Sequence, residues 1–186
     1  MNDGTTATLA AGKIRWTFGL LIGAAVFLLA IAIAPFLLGF FAKGSPKAAC
    51  QSNLKQEALA VLMYQADSDD YLPNASTWAD QTSPYSRSKE IYTCPIAKPS
   101  AGEYGHAFLR SLSRRKGSEI PKPDLQPAIF DSTDMSWNAN GSLDLLPVQG
   151  RHPGHTNCIA MLDSHVRVVD HRQLSDLLKS AQFGGK

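Results

Sequence analysis

The chain lacks the short signatures that announce common enzymatic chemistries. There is no Gly-x-Ser-x-Gly elbow for a nucleophilic serine, no glycine loop to grip phosphate and no dinucleotide fingerprint. Cys-x-x-Cys spacing is missing, and so is the compact His-Glu-x-x-His zinc pattern. Internal repeats and low-complexity tracts are absent as well. Net charge is only +2, and Arg114, Arg115 and Lys116 form the one tight basic run, which reads as a solvated loop. No nucleic-acid surface is expected.

The most telling absence is of charge. Between Arg15 and Lys43 run 27 residues without a charged side chain, WTFGLLIGAAVFLLAIAIAPFLLGFFA. Roughly 20 apolar residues cross a hydrocarbon core of about 30 Å. A cleaved signal peptide has an apolar core of only about 7–15 residues. The run therefore predicts a retained membrane helix over 16–42, preceded by a short tail, 1–15, with a bend expected at Pro35. Lys13 and Arg15 on one side nearly cancel Lys43 and Lys47 on the other, so flanking charge decides orientation weakly. All three cysteines, Cys50, Cys94 and Cys158, follow the span. A cytoplasmic N-terminus with an extracytoplasmic C-terminal domain places them where disulfides persist. The expected localisation is a single-pass inner membrane protein.

Past the span, Ser45 and Pro46 suit the cap and first turn of a helix. Leu54, Ala58, Val61, Leu62 and Gln65 follow one helical stripe, with Lys55, Gln56 and Glu57 assigned to the other faces. A stem helix is predicted over 45–69, ending near Asp67 in the turn-rich DSDDYLPN. Residues 70–186 form the predicted head. Its β-favouring runs are 90–94, 104–109, 127–133, 157–162 and 165–170, the last two joined as a hairpin at Asp163-Ser164. Residues 171–182 suit a short closing helix. The predicted class is α+β: a helix packed on a small antiparallel sheet.

Candidate chemistry is sparse. His152, His155, His165 and His171 crowd the tail beside Asp163 and Asp170, and His155, Asp163 and His165 are weak metal candidates. Asp67, Asp69 and Asp70 gather at a helix C-terminus, where Asp67 and Asp69 are weak calcium candidates without the EF-hand glycine or distal glutamate. Cys50 and Cys94 are the expected disulfide, clipping the helix base to the head; closing that loop restricts the unfolded chain by roughly 3–4 kcal/mol. Cys158 reads as a buried thiol. No catalytic or cofactor-binding residue is assigned.

Taken together, CQSNLKQEALAVLMYQADSDDYLP (50–73), TCP (93–95) and RHPGHTNCIAMLDSHVRVV (151–169) resemble, in order, three elements of bacterial prepilin-like proteins. The last resembles the processing-associated H-x9-DG element of type II secretion system protein G-like chains. That resemblance implies a pseudopilin-like protein with a helical stem and a sheet-bearing head. It works through protein–protein contacts with pilin-like or secretion-system partners and is not an enzyme. Cys50, Asn53, Leu54, Lys55, Gln56, Tyr64, Asp67, Pro73, Cys94, Pro95, His152, Asp163 and His165 carry over as structural positions.

Two departures stand out. Ten residues separate His152 from Asp163, one more than in that element, and Ser164 stands where it has glycine. No glutamate follows Arg15-Trp16-Thr17-Phe18-Gly19-Leu20, so the signature for prepilin peptidase is missing. Two other functions fit the composition. One is a tethered extracytoplasmic binding module for carbohydrate or another envelope ligand, using Trp78, Tyr85, Trp137 and the loop 138–142. The other is a metal-dependent hydrolase built on the histidine-rich hairpin.

Overall fold

The computed structural model describes residues 22–35, 45–97, 100, 102–170 and 172–176. The chain divides into two compact units, Met1–Gly44 and Ser45–Lys186. In the first, residues 22–35 form helix α1, and its apolar side chains are exposed, Phe27 and Leu28 among them. Among the described residues no helix is long and apolar enough to cross a membrane. The remaining residues of the predicted 16–42 span lie outside the described set, as do the tail 1–15 and residues 177–182 of the closing helix.

The second unit opens with α2, Pro46–Asp67. Its start is fixed locally: Ser45 Oγ accepts from Ala48 N–H at 3.1 Å, and Pro46 occupies the first turn, where no intrahelical donor is needed. Its end is equally local, with Asp69 and Asp70 both at positive φ. The buried stripe is Cys50, Leu54, Glu57, Ala58 and Val61, at helical spacing. Glu57, assigned to an outer face, is thus buried with the core.

Five strands follow: β1 His106–Leu109, β2 Pro127–Asp131, β3 Asn140–Gly141, β4 Asn157–Met161 and β5 Val166–Val169. Their order is β3-β1-β2-β4-β5. Three pairings are antiparallel, but β3 runs parallel to β1, so the sheet is mixed and not purely antiparallel as predicted. The parallel pair arises because the chain leaves β2, loops through 132–139 and returns to the far side of β1. Residues 90–94, expected as a strand, instead enter a 3-10 turn, Lys89–Tyr92, capped by Ser88 Oγ accepting from Glu90 N–H at 3.2 Å. The hairpin is as expected except in loop length. Met161 N–H donates to His165 O, leaving a three-residue loop in which Ser164 sits at φ 74°.

The central strands β2 and β4 are buried along their whole length, which matches their near-continuous apolar sequences. Helix α2 packs on both. Trp78 anchors the core beside Tyr92 and Phe108, with ring centroids 5.4 and 5.8 Å away, and its indole N–H donates to Ala139 O at 2.9 Å.

Candidate functional site

Where α2 meets the sheet, the core turns polar. His106 on β1 pairs with Asp131 on β2, and the next step of the β2–β4 register sets Asp131 beside Cys158. One row of side chains, histidine, aspartate and cysteine, therefore crosses three strands on the face toward α2. Helix α2 lays Cys50 and, two turns later, Glu57 over that row. Two loops complete the group. Cys94 follows the 3-10 turn, and His152 precedes β4, its backbone bridged to Thr156. All seven side chains are buried, none more than 3% exposed.

Asp131 is the hub. Oδ2 accepts from Cys158 N–H at 2.6 Å and from His152 Nε2 at 2.9 Å. Oδ1 lies 3.5 Å from Cys50 Sγ, 3.5 Å from Arg151 Nη1 and 3.8 Å from His106 Nε2. Arg151 also donates to Gly105 O at 2.6 Å and to Ser132 O, which fixes the guanidinium beside the carboxylate. His106 bridges two turns of α2: Nδ1 donates to Glu57 Oε1 at 2.6 Å while Nε2 faces Cys50 Sγ at 3.4 Å. Cys94 Sγ lies 3.9 Å from His152 Nε2. Two buried polar atoms in the group have no partner, Glu57 Oε2 and His152 Nδ1.

These contacts move protons. Burial alone would depress His106, but the Glu57 carboxylate, together with Cys94 and Asp131, outweighs it and pushes the imidazole up to about 10. Burial is likewise overcome at His152, chiefly by Asp131, raising it to about 11. Burial pushes the Glu57 carboxyl upward against the pull of His106. Hydrogen bonds to the Cys158 and Cys94 sulfurs, reinforced by burial, keep the Cys50 thiol protonated. The same bonds lower its neighbours, Cys158 to about 6 and Cys94 further still, against their burial. Three mutually hydrogen-bonded sulfurs thus sit beside two imidazoles that are raised and two buried carboxyl groups.

The predicted site residues fall elsewhere, with two exceptions. Cys50 and Cys94 do come together, but all three cysteines are free thiols, so the expected disulfide is replaced by a thiol–thiol contact. Asp67 Oδ2 accepts from Tyr85 Oη at 3.0 Å, and Asp69 is exposed. His155 is exposed, with Nδ1 against Gln149 O at 3.1 Å. Asp163 and His165 pair with each other at 2.5 Å on the hairpin loop. None of these five joins a group of potential metal ligands among the described residues. The group that does gather is Cys50, Cys94, Asp131 and His152.

Of the tail histidines His152 alone turns into this cluster, and His171 lies outside the described residues. The aromatic surface from Trp78, Tyr85 and Trp137 is not assembled. Trp78 is buried, Tyr85 stands edge-on to Tyr64, and Trp137 packs on Tyr92 and Tyr104 with its N–H on Asp80.

Sequence reasoning missed Glu57, His106, Asp131 and Arg151. Signals for two were present. Glu57 lies seven residues from Cys50, two helical turns on the same side. Asp131 is the only charge at the end of the apolar run PAIFD. Two surface depressions, one around Leu143, Val148 and Val169 and the other around Tyr64, Tyr71 and Arg114, share no residue with the cluster. No known family matches the chain, and neither a curated protein nor a solved structure is significantly similar to it.

Proposed function

We propose that the chain is a membrane-tethered, pseudopilin-like envelope protein that works through protein–protein contacts, in a type II secretion or type IV pilus-like system, without catalysis of its own. The observation that carries this reading is where the resembling segments meet. CQSN of α2, TCP and the RH pair all converge on one buried joint between helix and sheet. Asn53 Nδ2 donates to Thr93 O at 2.9 Å, and Cys50, Cys94 and His152 gather within 4.8 Å. A stem that carries a head needs such a joint. A substrate needs an opening, and these side chains are closed to solvent.

The outer face of α2 favours the same reading. Leu59 and Met63 are exposed and four residues apart, an apolar strip on the side turned away from the sheet. In α1 the exposed apolar side chains suit a lipid environment. The missing glutamate of the prepilin signature argues for a role as an anchored subunit and not as a processed filament subunit.

A photo-crosslinking residue in place of Leu59 or Met63, in the full-length chain in its native membranes, tests the proposal. The expected product joins a second copy or another pilin-like subunit. Recovery of the chain in the soluble fraction, or as an uncrosslinked monomer from both positions, would overturn it.

A further inference from the structure

We infer that Cys50, Cys94, Asp131 and His152 form a closed, structural site for one thiophilic divalent metal ion of the zinc class. Size comes first. The four ligand atoms lie within 4.8 Å of one another. A tetrahedral ion with sulfur at about 2.3 Å and nitrogen or oxygen at about 2.0–2.2 Å sets ligand–ligand edges of roughly 3.3–3.8 Å. Two of the six edges are already near that length, Cys50 Sγ to Asp131 Oδ1 at 3.5 Å and Cys94 Sγ to His152 Nε2 at 3.9 Å, while His152 Nε2 holds the other carboxylate oxygen, Oδ2, at 2.9 Å. An inward movement of under about 1 Å at each remaining edge completes the shell.

The donor set selects the ion. Two sulfurs and an imidazole suit zinc and other soft or borderline cations, whereas calcium and magnesium take oxygen. Burial selects the role: with every ligand enclosed, no coordination position opens to water, as in structural sites and unlike catalytic ones.

An outer layer is already in place. Arg151 and the Cys158 N–H hold the Asp131 carboxylate, and Glu57 holds His106 against Cys50. Both sulfurs bind as thiolates and His152 through a neutral Nε2, so any proton they carry leaves to solvent. The ion with two thiolates and one carboxylate carries a single negative charge, opposite the Arg151 guanidinium. The metal would then be the clip between helix base and head that the sequence suggested as a disulfide.

The test uses the full-length chain, purified under reducing conditions without a histidine tag or chelator. Elemental analysis is expected to find about one thiophilic ion per chain. The chelator-stripped protein reloaded with Co2+ is expected to show a thiolate charge-transfer band and the intense visible bands of tetrahedral cobalt. Cys94→Ser is expected to weaken Zn2+ binding at least about 100-fold. Three results would overturn the inference. One is less than about 0.1 equivalent of Zn2+ retained after reloading the wild-type chain. The second is a weak octahedral cobalt spectrum. The third is a mass showing Cys50 oxidised to Cys94. The cobalt spectrum of the wild type decides the matter even where Cys94→Ser fails to fold.

Discussion

Replacing Glu57 by Gln keeps the shape of the side chain and removes its charge from beneath His106. The pair is fully buried, with Nδ1 and Oε1 2.6 Å apart. Burial drives His106 down, but Glu57 first, with Cys94 and Asp131, lifts it to about 10, so the imidazole is protonated at neutral pH. Removing one member of a buried ion pair strands the other and costs roughly 3–5 kcal/mol. Glu57→Gln belongs at the low end, about 3 kcal/mol, because Asp131 Oδ1 remains 3.8 Å from the ring. His106→Gln belongs at the high end, about 5 kcal/mol, because the carboxylate it leaves behind already has one oxygen without a partner.

The double replacement Glu57→Gln with His106→Gln closes the cycle, removing both charges together and leaving two amides in place of the ion pair. It is expected to cost no more than the larger single change, giving a coupling of about 3 kcal/mol or more. Urea unfolding of the full-length chain, reduced and with chelator, followed by near-ultraviolet dichroism of the Trp78–Tyr92–Phe108 stack, measures all three. Single variants within about 1 kcal/mol of wild type, or effects that add within about 0.5 kcal/mol, would refute the ion pair.

Three further outcomes can be checked in the same unfolding assay. Ser164→Gly, at φ 74° in the hairpin loop, should raise stability by about 0.5–1 kcal/mol, and any loss would show that the serine is not strained there. Gly150→Ala should lower it by about 2–3 kcal/mol, since φ is 72° and an added Cβ would come 2.2 Å from the His155 carbonyl carbon; a neutral result would place that loop elsewhere. Burial lifts the Tyr92 hydroxyl from 10.0 to about 12, against a hydrogen bond with Thr82. Its contribution to stability is therefore complete below pH 10 and lost as pH rises toward 12, because the unfolded phenol ionises first. Tyr92→Phe should flatten that part of the pH profile, and an unchanged slope would assign the loss to other groups.

How much of this was legible follows from how local each cause is. The ends of α2 are set by Ser45, Pro46 and the turn after Asp67, all within a few residues, and they read directly. The segments of β1, β2, β4 and β5 read from alternation and apolar content. The two-residue strand β3 did not, because Asn140–Gly141 pairs only through the return of the chain to β1. Residues 90–94 have strand-like composition, but Ser88 caps a 3-10 turn in them. The site was least legible. The tail histidines drew attention by density in sequence, whereas the histidine that matters most, His106, stands alone and reaches Glu57 across 49 positions. Proximity through a sheet register cannot be counted along the chain.

That register also explains why so many polar groups sit in a core where each is costly. An apolar helix face on an apolar sheet slides easily, since hydrophobic attraction has no direction. Moving α2 by one turn, about 5.4 Å, would set Leu54 against Asp131 and draw Glu57 off His106. Every such slip leaves the buried Glu57 carboxyl and the His106 imidazole without each other, at about 1–3 kcal/mol or more apiece, and takes Cys50 away from both His106 and Asp131. Helix and sheet therefore have one compatible alignment, fixed by directional bonds where packing alone would leave several. Under the function proposed above, in which α2 carries the sheet as a stem carries a head, a single alignment is the property that counts. A metal ion at Cys50, Cys94, Asp131 and His152 would hold the same alignment at the one level where α2, two loops and two central strands all meet.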